Sequence, residues 1–240
     1  MLTAELTTLN RVGLPVLSIS GLWYRLILIC LLSEFEHVKQ WAADNKMIIN
    51  ISKTKELVFQ RSSLKHFLVP SAVCGIEQVH SAKLGVTFKN NHSFDEHVTA
   101  VLKCCSQRAY ILKLLRDQGM LQIHLDTVFH ALIMSKIRYA LCAWGGFLTQ
   151  TQKEMINAFL RRMYKYYFVS ECFDIDSIVD DMDRKFFKVL FSPAHCLHSL
   201  LPPVKSNPYG LRSRDHNLQL PVCNSFSRKS FIVYSLFRFK

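Results

Sequence analysis

The spacing of apolar positions changes character twice along the chain. Residues 14–32 (LPVLSISGLWYRLILICLL) are apolar apart from two serines and Arg25. Beyond them, Phe35, Val38, Trp41 and Ala42 recur at helical spacing, and Ser33 with Glu36 has the S-x-x-E spacing of a capping box, so a helix over 34–45 is predicted. Short apolar runs follow at Met47–Ile51, Glu56–Gln60, Phe67–Val69, Ala72–Cys74, Glu77–His80 and Leu84–Lys89. Runs this short, punctuated by polar residues and by Gly75 and Gly85, read as short antiparallel strands with the glycines at turns or bulges.

The period then becomes helical. Ser93 and Glu96 form a second capping-box spacing, followed by a stripe through Phe94, Val98, Val101, Leu102, Cys105, Ala109, Leu112 and Leu115, with Gly119 as the residue after the C-cap. A second helix is predicted from about Leu121, through Leu125, Val128, Phe129, Leu132 and Ile137, to a break at Trp144-Gly145-Gly146. A third starts near Thr151 and carries Met155, Ile156, Phe159, Leu160, Met163 and Tyr167, and a fourth covers about Asp176–Leu190. Short connections between the first three suggest an antiparallel bundle. Beyond Pro193 the tail, with Pro202, Pro203, Pro208 and Pro221, reads as irregular. The predicted class is α+β and mostly helical. Its predicted parts are a divergent segment 1–33, a helix-and-strand part 34–92, a helical bundle 93–170, and an acidic helix with a basic tail over 171–240.

Composition sharpens this picture. The chain has 240 residues, half of them hydrophobic, 30 Lys and Arg against 18 Asp and Glu, and a formal charge of +12, which excludes a disordered chain and favours a polyanionic partner. The charge is segregated. Residues 97–168 hold ten basic and three acidic residues, a net +7, and residues 184–240 hold ten basic residues against Asp215, a net +9. Six acids (Glu171, Asp174, Asp176, Asp180, Asp181, Asp183) lie between them, so two basic surfaces flank an acidic helix. A uniformly solvated basic surface is the plainer alternative. The eight cysteines are irregularly spaced and contain no C-x-x-C pair, which suits buried reduced thiols in an intracellular protein of the cytoplasm or nucleus.

At 19 residues the run 14–32 reaches the length of a membrane span, but Arg25 lies within it, and a charge at mid-bilayer costs about 2.5–3.5 kcal/mol. The residues after Leu32 are Ser33-Glu34-Phe35-Glu36, which is no small-residue cleavage site. A membrane is therefore not the expected partner, and an anchored protein is kept as the alternative.

Several ordered segments carry a resemblance. HVKQWAADNKMIINISKTKELVF, then LGVTFKNNHSFDEHV, then RYALCAWGGF, and the tail from His195 to Phe239 resemble the C-terminal part of non-LTR retrotransposon reverse transcriptases of the jockey-like, LINE-type kind. The resemblance runs from about Ser33 to the last residue. It implies that 34–60 is the last part of a polymerase palm, with Asn50, Lys53, Thr54 and Lys55 matching the N-x-x-K-T-K pattern of motif D and Lys53 the candidate general acid for the pyrophosphate leaving group. It further implies that Lys83–Phe88 is the primer grip, with Leu84 and Gly85 at its centre, and that 93–168 is the thumb holding a template–primer duplex. Basic thumb residues Lys103, Arg108, Lys113, Arg161, Arg162 and Lys165 are then phosphate contacts. Tyr164, Tyr166 and Tyr167, interleaved with the last three, are rings for sugars or unstacked bases. The alternative for this helix is that Met163 and Tyr167 are core, Tyr164 and Tyr166 half-buried, and the charges merely solvated.

In that family nucleotidyl transfer uses Mg2+ held by an early palm aspartate and an aspartate pair, all preceding the position of residue 34. The chain has no Asp before Asp44, so it carries no such ligand set and no cofactor of its own is expected. Asp180-Asp181 is no substitute, because the spacing of Ile175, Ile178, Val179, Met182 and Phe186 is helical and adjacent residues on a helix point about 100° apart. His195, Cys196, His198, His216 and Cys223 lack the paired spacing of a zinc site, and the histidines at 37, 66, 80, 92, 97, 124 and 130 read as surface or satisfied core. The sequence thus suggests a truncated RNA-directed DNA polymerase fragment, inactive by itself, that binds nucleic acid. The alternative is a non-catalytic interaction or membrane-anchored protein derived from the element.

Overall fold

The computed structural model describes residues 19–59, 70–73, 75–205 and 216–239, with side chains from residue 31 onward. Helix far outweighs strand, and the strands form two sheets of two, so the chain is α+β and mostly helical. It divides into two compact units, Met1–Ala82 and Lys83–Lys240.

In the first unit, helix α1 (Ile19–Asp44) runs without a break through Ser33. The capping-box spacing at Ser33 and Glu36 therefore starts no helix, because the preceding apolar residues already supply helical turns; Glu36 instead pairs with Lys39 at 2.7 Å. Of the predicted stripe, only Ala42 is buried, and Val38 and Trp41 are exposed. A 3-10 turn at Ile51–Lys53 leads into β1 (Lys55–Glu56), which pairs with β2 (Glu77–Gln78). That pair is parallel, with Lys55 opposite Glu77 and Glu56 opposite Gln78, which corrects the antiparallel expectation. The two strands are separated by the chain from 57 to 76, long enough for the crossover that a parallel pair needs. Glu56 Oε2 accepts from the Val73 N–H at 3.0 Å, and Lys55 pairs with Glu77. The runs at Gln60–Val69 and Cys74 lie outside the described residues.

The second unit is built on helices. β3 (Ser81–Leu84), within which the unit boundary falls, pairs with β4 (Val86–Lys89), and Gly85 between them has φ +73°. Helix α2 (Asp95–Asp117) begins two residues after Ser93, whose hydroxyl accepts from the Asp95 N–H at 3.2 Å; Glu96 does not complete the expected box but pairs with Lys89 at 3.0 Å. Its end fits the expectation: Gly119 at φ +84° donates to the Arg116 carbonyl, and Met120 donates to Leu115, closing a Schellman motif.

The second predicted helix is interrupted. α3 (Gln122–Phe129) passes through a π turn (His130–Met134) into α4 (Ser135–Arg138), and the chain then breaks at Ala140, φ +50°, before α5 (Leu141–Trp144). Neither glycine nor proline marks that break. Burial does: Ile137, Leu141 and Trp144 are all buried, and the Trp144 indole N–H donates to the Tyr139 carbonyl at 3.1 Å. α6 (Gln150–Lys165) opens on a true capping box, Thr149 Oγ1 accepting from Gln152 N–H and Gln152 Oε1 accepting from Thr149 N–H at 2.8 Å. α7 (Ile175–Leu190) is capped by Asp174, and Asn157 on α6 ties the two helices by donating to Asp174 at 2.7 Å and accepting from Ile175 N–H at 2.8 Å.

One cluster joins α2 to α7, with Leu112, Phe129, Ile133, Trp144, Ile156 and Ile175 fully buried in it. The tail is not irregular throughout: α8 (Phe231–Arg238) packs on α7 through a smaller cluster of Phe187, Leu236 and Phe239. Asp180 on α7 accepts from Tyr234 at 3.2 Å and from Arg238 at 2.7 Å. Among the described residues no helix is long and apolar enough to cross a membrane. The six cysteines with described side chains are all free; Cys105 is buried but Cys172 and Cys196 are exposed, so thiol burial is not general.

Candidate nucleic-acid interface

The C-terminal half of α6 shows how a helix presents charge. Phe159, Leu160 and Met163 face the core, and the 100° step between residues turns Arg161, Arg162, Tyr164 and Lys165 outward to solvent. The helix then closes with a second Schellman motif, in which Tyr167 N–H donates to Tyr164 and Phe168 N–H to Met163. Tyr167 holds the left-handed position, φ +55°, normally taken by glycine. This turn returns Phe168 and Val169 to the core and leaves Tyr167 75% exposed, with Tyr164 and Tyr166 near half exposed. Tyr167 is therefore not core, because the apolar stripe stops where the helix does.

Arg161, Arg162, Lys165, Lys103 and Lys113 make no salt bridge among the described residues, whereas Lys89, Lys153, Arg116 and Arg238 do. Lys113 and Arg162 come together on a groove of about 430 Å³ between α2 and α6. Its other lining residues include Tyr110, Tyr166 and Arg116, over a floor containing Phe159 and Phe168, and no acid lines it. Arg116 is a structural member: its guanidinium lies 4.7 Å from the Phe168 ring centre, and it donates to the Tyr166 carbonyl at 2.6 Å. Arg108 is likewise engaged, donating to the Leu132 carbonyl at 2.5 Å and so joining α2 to the π turn.

Leu84 and Gly85 stand in a different part of the unit. Leu84 is 80% exposed, and Gly85 lies against Tyr139, so close that an added Cβ would meet the phenol oxygen at 2.5 Å. Lys136 sits 5.9 Å from the Tyr139 ring centre. Beneath them His97 is buried, its Nδ1 accepting from Thr87 N–H at 3.3 Å and its Nε2 without a partner. Burial, then Lys136 and Lys83, lower its pKa, so the ring is held neutral. It is a half-satisfied core histidine rather than a satisfied one.

Lys53 belongs to the other unit, exposed on the 3-10 turn. Asn50 Oδ1 there accepts from Lys53 N–H at 3.2 Å and from the Ser52 hydroxyl at 2.7 Å, while the Thr54 hydroxyl donates to the Asn50 carbonyl at 2.9 Å. The N-x-x-K-T pattern thus has a local structural use as a capped turn. Among the described residues no group of three or more His, Cys, Asp or Glu is placed to hold a metal. Asp180 is committed to Tyr234 and Arg238, and the tail histidines serve packing: His198 contacts the Leu190 carbonyl and His216 the Leu236 carbonyl, each at 2.9 Å. The described residues do not fit a two-metal site.

Sequence reasoning missed Tyr110, Tyr139 and Lys136. Tyr110 lies one residue from the α2 stripe position Ala109, where an aromatic reads as a core edge, and Tyr139 gains its place only through the break at Ala140. Comparisons of the chain with protein-family models, curated proteins and solved structures find no match.

Proposed function

We propose that residues 93–170 are the duplex-holding thumb of a non-LTR retrotransposon reverse transcriptase, and that this chain binds a primer–template duplex without extending it. The observation that supports the reading most is the set of exposed cations without carboxylate partners, Arg161, Arg162 and Lys165 at the end of α6 with Lys113 across the groove. Cations free of internal ion pairs lose nothing to competition when a phosphate arrives, and each phosphate neutralised releases condensed counterions. Tyr164 adds a ring for a sugar face. In this reading Leu84 and Gly85 form a second contact, and Lys53 lies on the motif D segment without the metal-bound aspartates it would assist.

Anisotropy of a labelled 20-base-pair duplex, titrated with the full chain at several salt concentrations, tests this. Four phosphate contacts give a slope of log K against log salt of about −3.6, a fall of about 150-fold between 50 and 200 mM. Replacing Arg161 and Arg162 together by Ala halves the slope to about −1.8, a fall of about 12-fold. An unchanged affinity and slope would remove α6 from the interface. Incorporation of nucleotides by the purified chain with Mg2+ or Mn2+ would overturn the non-extending part.

A further inference from the structure

We propose that the groove between α2 and α6 is a binding site for one unpaired nucleotide, its base lying on a tyrosine face and its phosphate between Lys113 and Arg162. This rests on the nucleic-acid reading above and adds a ligand class to it, single-stranded rather than paired. A duplex can use the groove's two cations through its backbone phosphates, but it keeps its bases stacked away, so the rings along the groove wall serve only an unpaired base.

The groove's chemistry is divided in the way a nucleotide is divided. Tyr110 on α2 and Tyr166 at the end of α6 are 60% and 50% exposed, so each offers a ring face to a ligand. Phe159 and Phe168 make the floor apolar, and they are already buried, so the floor exists before anything binds. Arg116 holds that wall in place through the Phe168 ring and the Tyr166 carbonyl. The two remaining cations have no carboxylate partner among the described residues, and no described acid lines the groove to repel a phosphate. The volume of about 430 Å³ falls in the range of small-ligand sites. The side chains offer rings and cations but little to read a base edge, so binding is indifferent to which base is presented.

The test compares a blunt duplex with the same duplex bearing a three-nucleotide 5′ overhang that contains 2-aminopurine. Affinity comes from anisotropy and stacking from the 2-aminopurine emission, both with the full chain. The overhang is expected to bind about tenfold more tightly, the gain of one base on one aromatic ring, with emission quenched. Tyr110→Ala abolishes that preference and the quenching while leaving the blunt duplex affinity unchanged, and Tyr166→Phe preserves both. Lys113→Glu lowers the affinity for both duplexes and, being an exposed change, leaves the thermal melt unaltered. Equal binding of blunt and overhang duplexes, still salt-sensitive, overturns this inference and leaves the duplex reading standing. Preference that survives Tyr110→Ala and Tyr166→Ala overturns the assignment of the groove. Absence of binding to either duplex overturns both proposals.

Discussion

Asp183 is a buried carboxyl in a helix otherwise edged with solvated acids, and changing it to asparagine should stabilise the protein at neutral pH. Its residue is 2% exposed, its Oδ1 has no hydrogen-bond partner, and its one thiol partner is Cys142 on α5. Burial pushes its pKa from 3.8 up to about 6, the Cys142 hydrogen bond works against that rise, and the Asp180 charge adds to it. Burial of the thiol, and then the same contact, raise Cys142 to about 12, so Cys142 stays protonated and supplies no charge. The unfolded chain releases the Asp183 proton near pH 3.8 and the folded chain near 6, so between these values the folded state binds more protons and stability falls as pH rises. Each pH decade is worth about 1.4 kcal/mol, so above pH 6 the ionised carboxylate destabilises the fold by about 3 kcal/mol as an upper value. Asp183→Asn removes the titration and keeps the shape. Urea denaturation at pH 4, 5, 6 and 7.5 should show the wild type losing stability across the first three values and levelling above them. The variant should lack that loss and be the more stable protein at pH 7.5 by about 1–3 kcal/mol. Parallel pH profiles for the two proteins would refute the reasoning, and so would a less stable variant at pH 7.5.

Two further outcomes follow from the backbone. A Cβ at Gly146 would collide with the Lys229 carbonyl oxygen, so Gly146→Ala must displace the turn that leads into α8. The expected result is a loss of about 1–3 kcal/mol in urea and faster hydrogen exchange in α8, and unchanged exchange there would show that the contact is dispensable. Tyr167 is exposed and left-handed, so Tyr167→Gly gives up little burial and relieves the strain; a gain of about 1 kcal/mol in thermal denaturation is expected, and a lower melting temperature would contradict it.

Asp183 was visible in the sequence had its phase been followed. Ile175, Val179, Asp183 and Phe187 form a row at steps of four, all buried, and the acid shares the apolar side of α7. Its membership in a run of six acids suggested solvent, because composition is averaged over a segment whereas burial follows the angle of each residue. Tyr166 was legible as a ring among the cations of α6, but its partner across the groove, Tyr110, was not. Tyr110 and Tyr166 are far apart in the chain, and only the packing of α2 against α6 puts both on one wall.

What the sequence determined by itself is the local grammar of the second unit. The i, i+3, i+4 stripes placed α2, α6 and α7, Gly119 ended α2, and the outward set on α6 followed from the residues between its buried ones. These are short-range consequences of helical geometry, which every residue meets within one or two turns. Tertiary structure decided the rest. It paired β1 and β2 in parallel and broke a continuous helical pattern at Ala140 so that Leu141 and Trp144 could both be buried. It also sorted the basic residues, setting Arg108 and Arg116 to hold helices together and leaving Lys113, Arg161, Arg162 and Lys165 without a carboxylate partner among the described residues. A charge's use depends on what lies within about 4 Å of it, and that distance is fixed by packing between segments the chain itself keeps far apart.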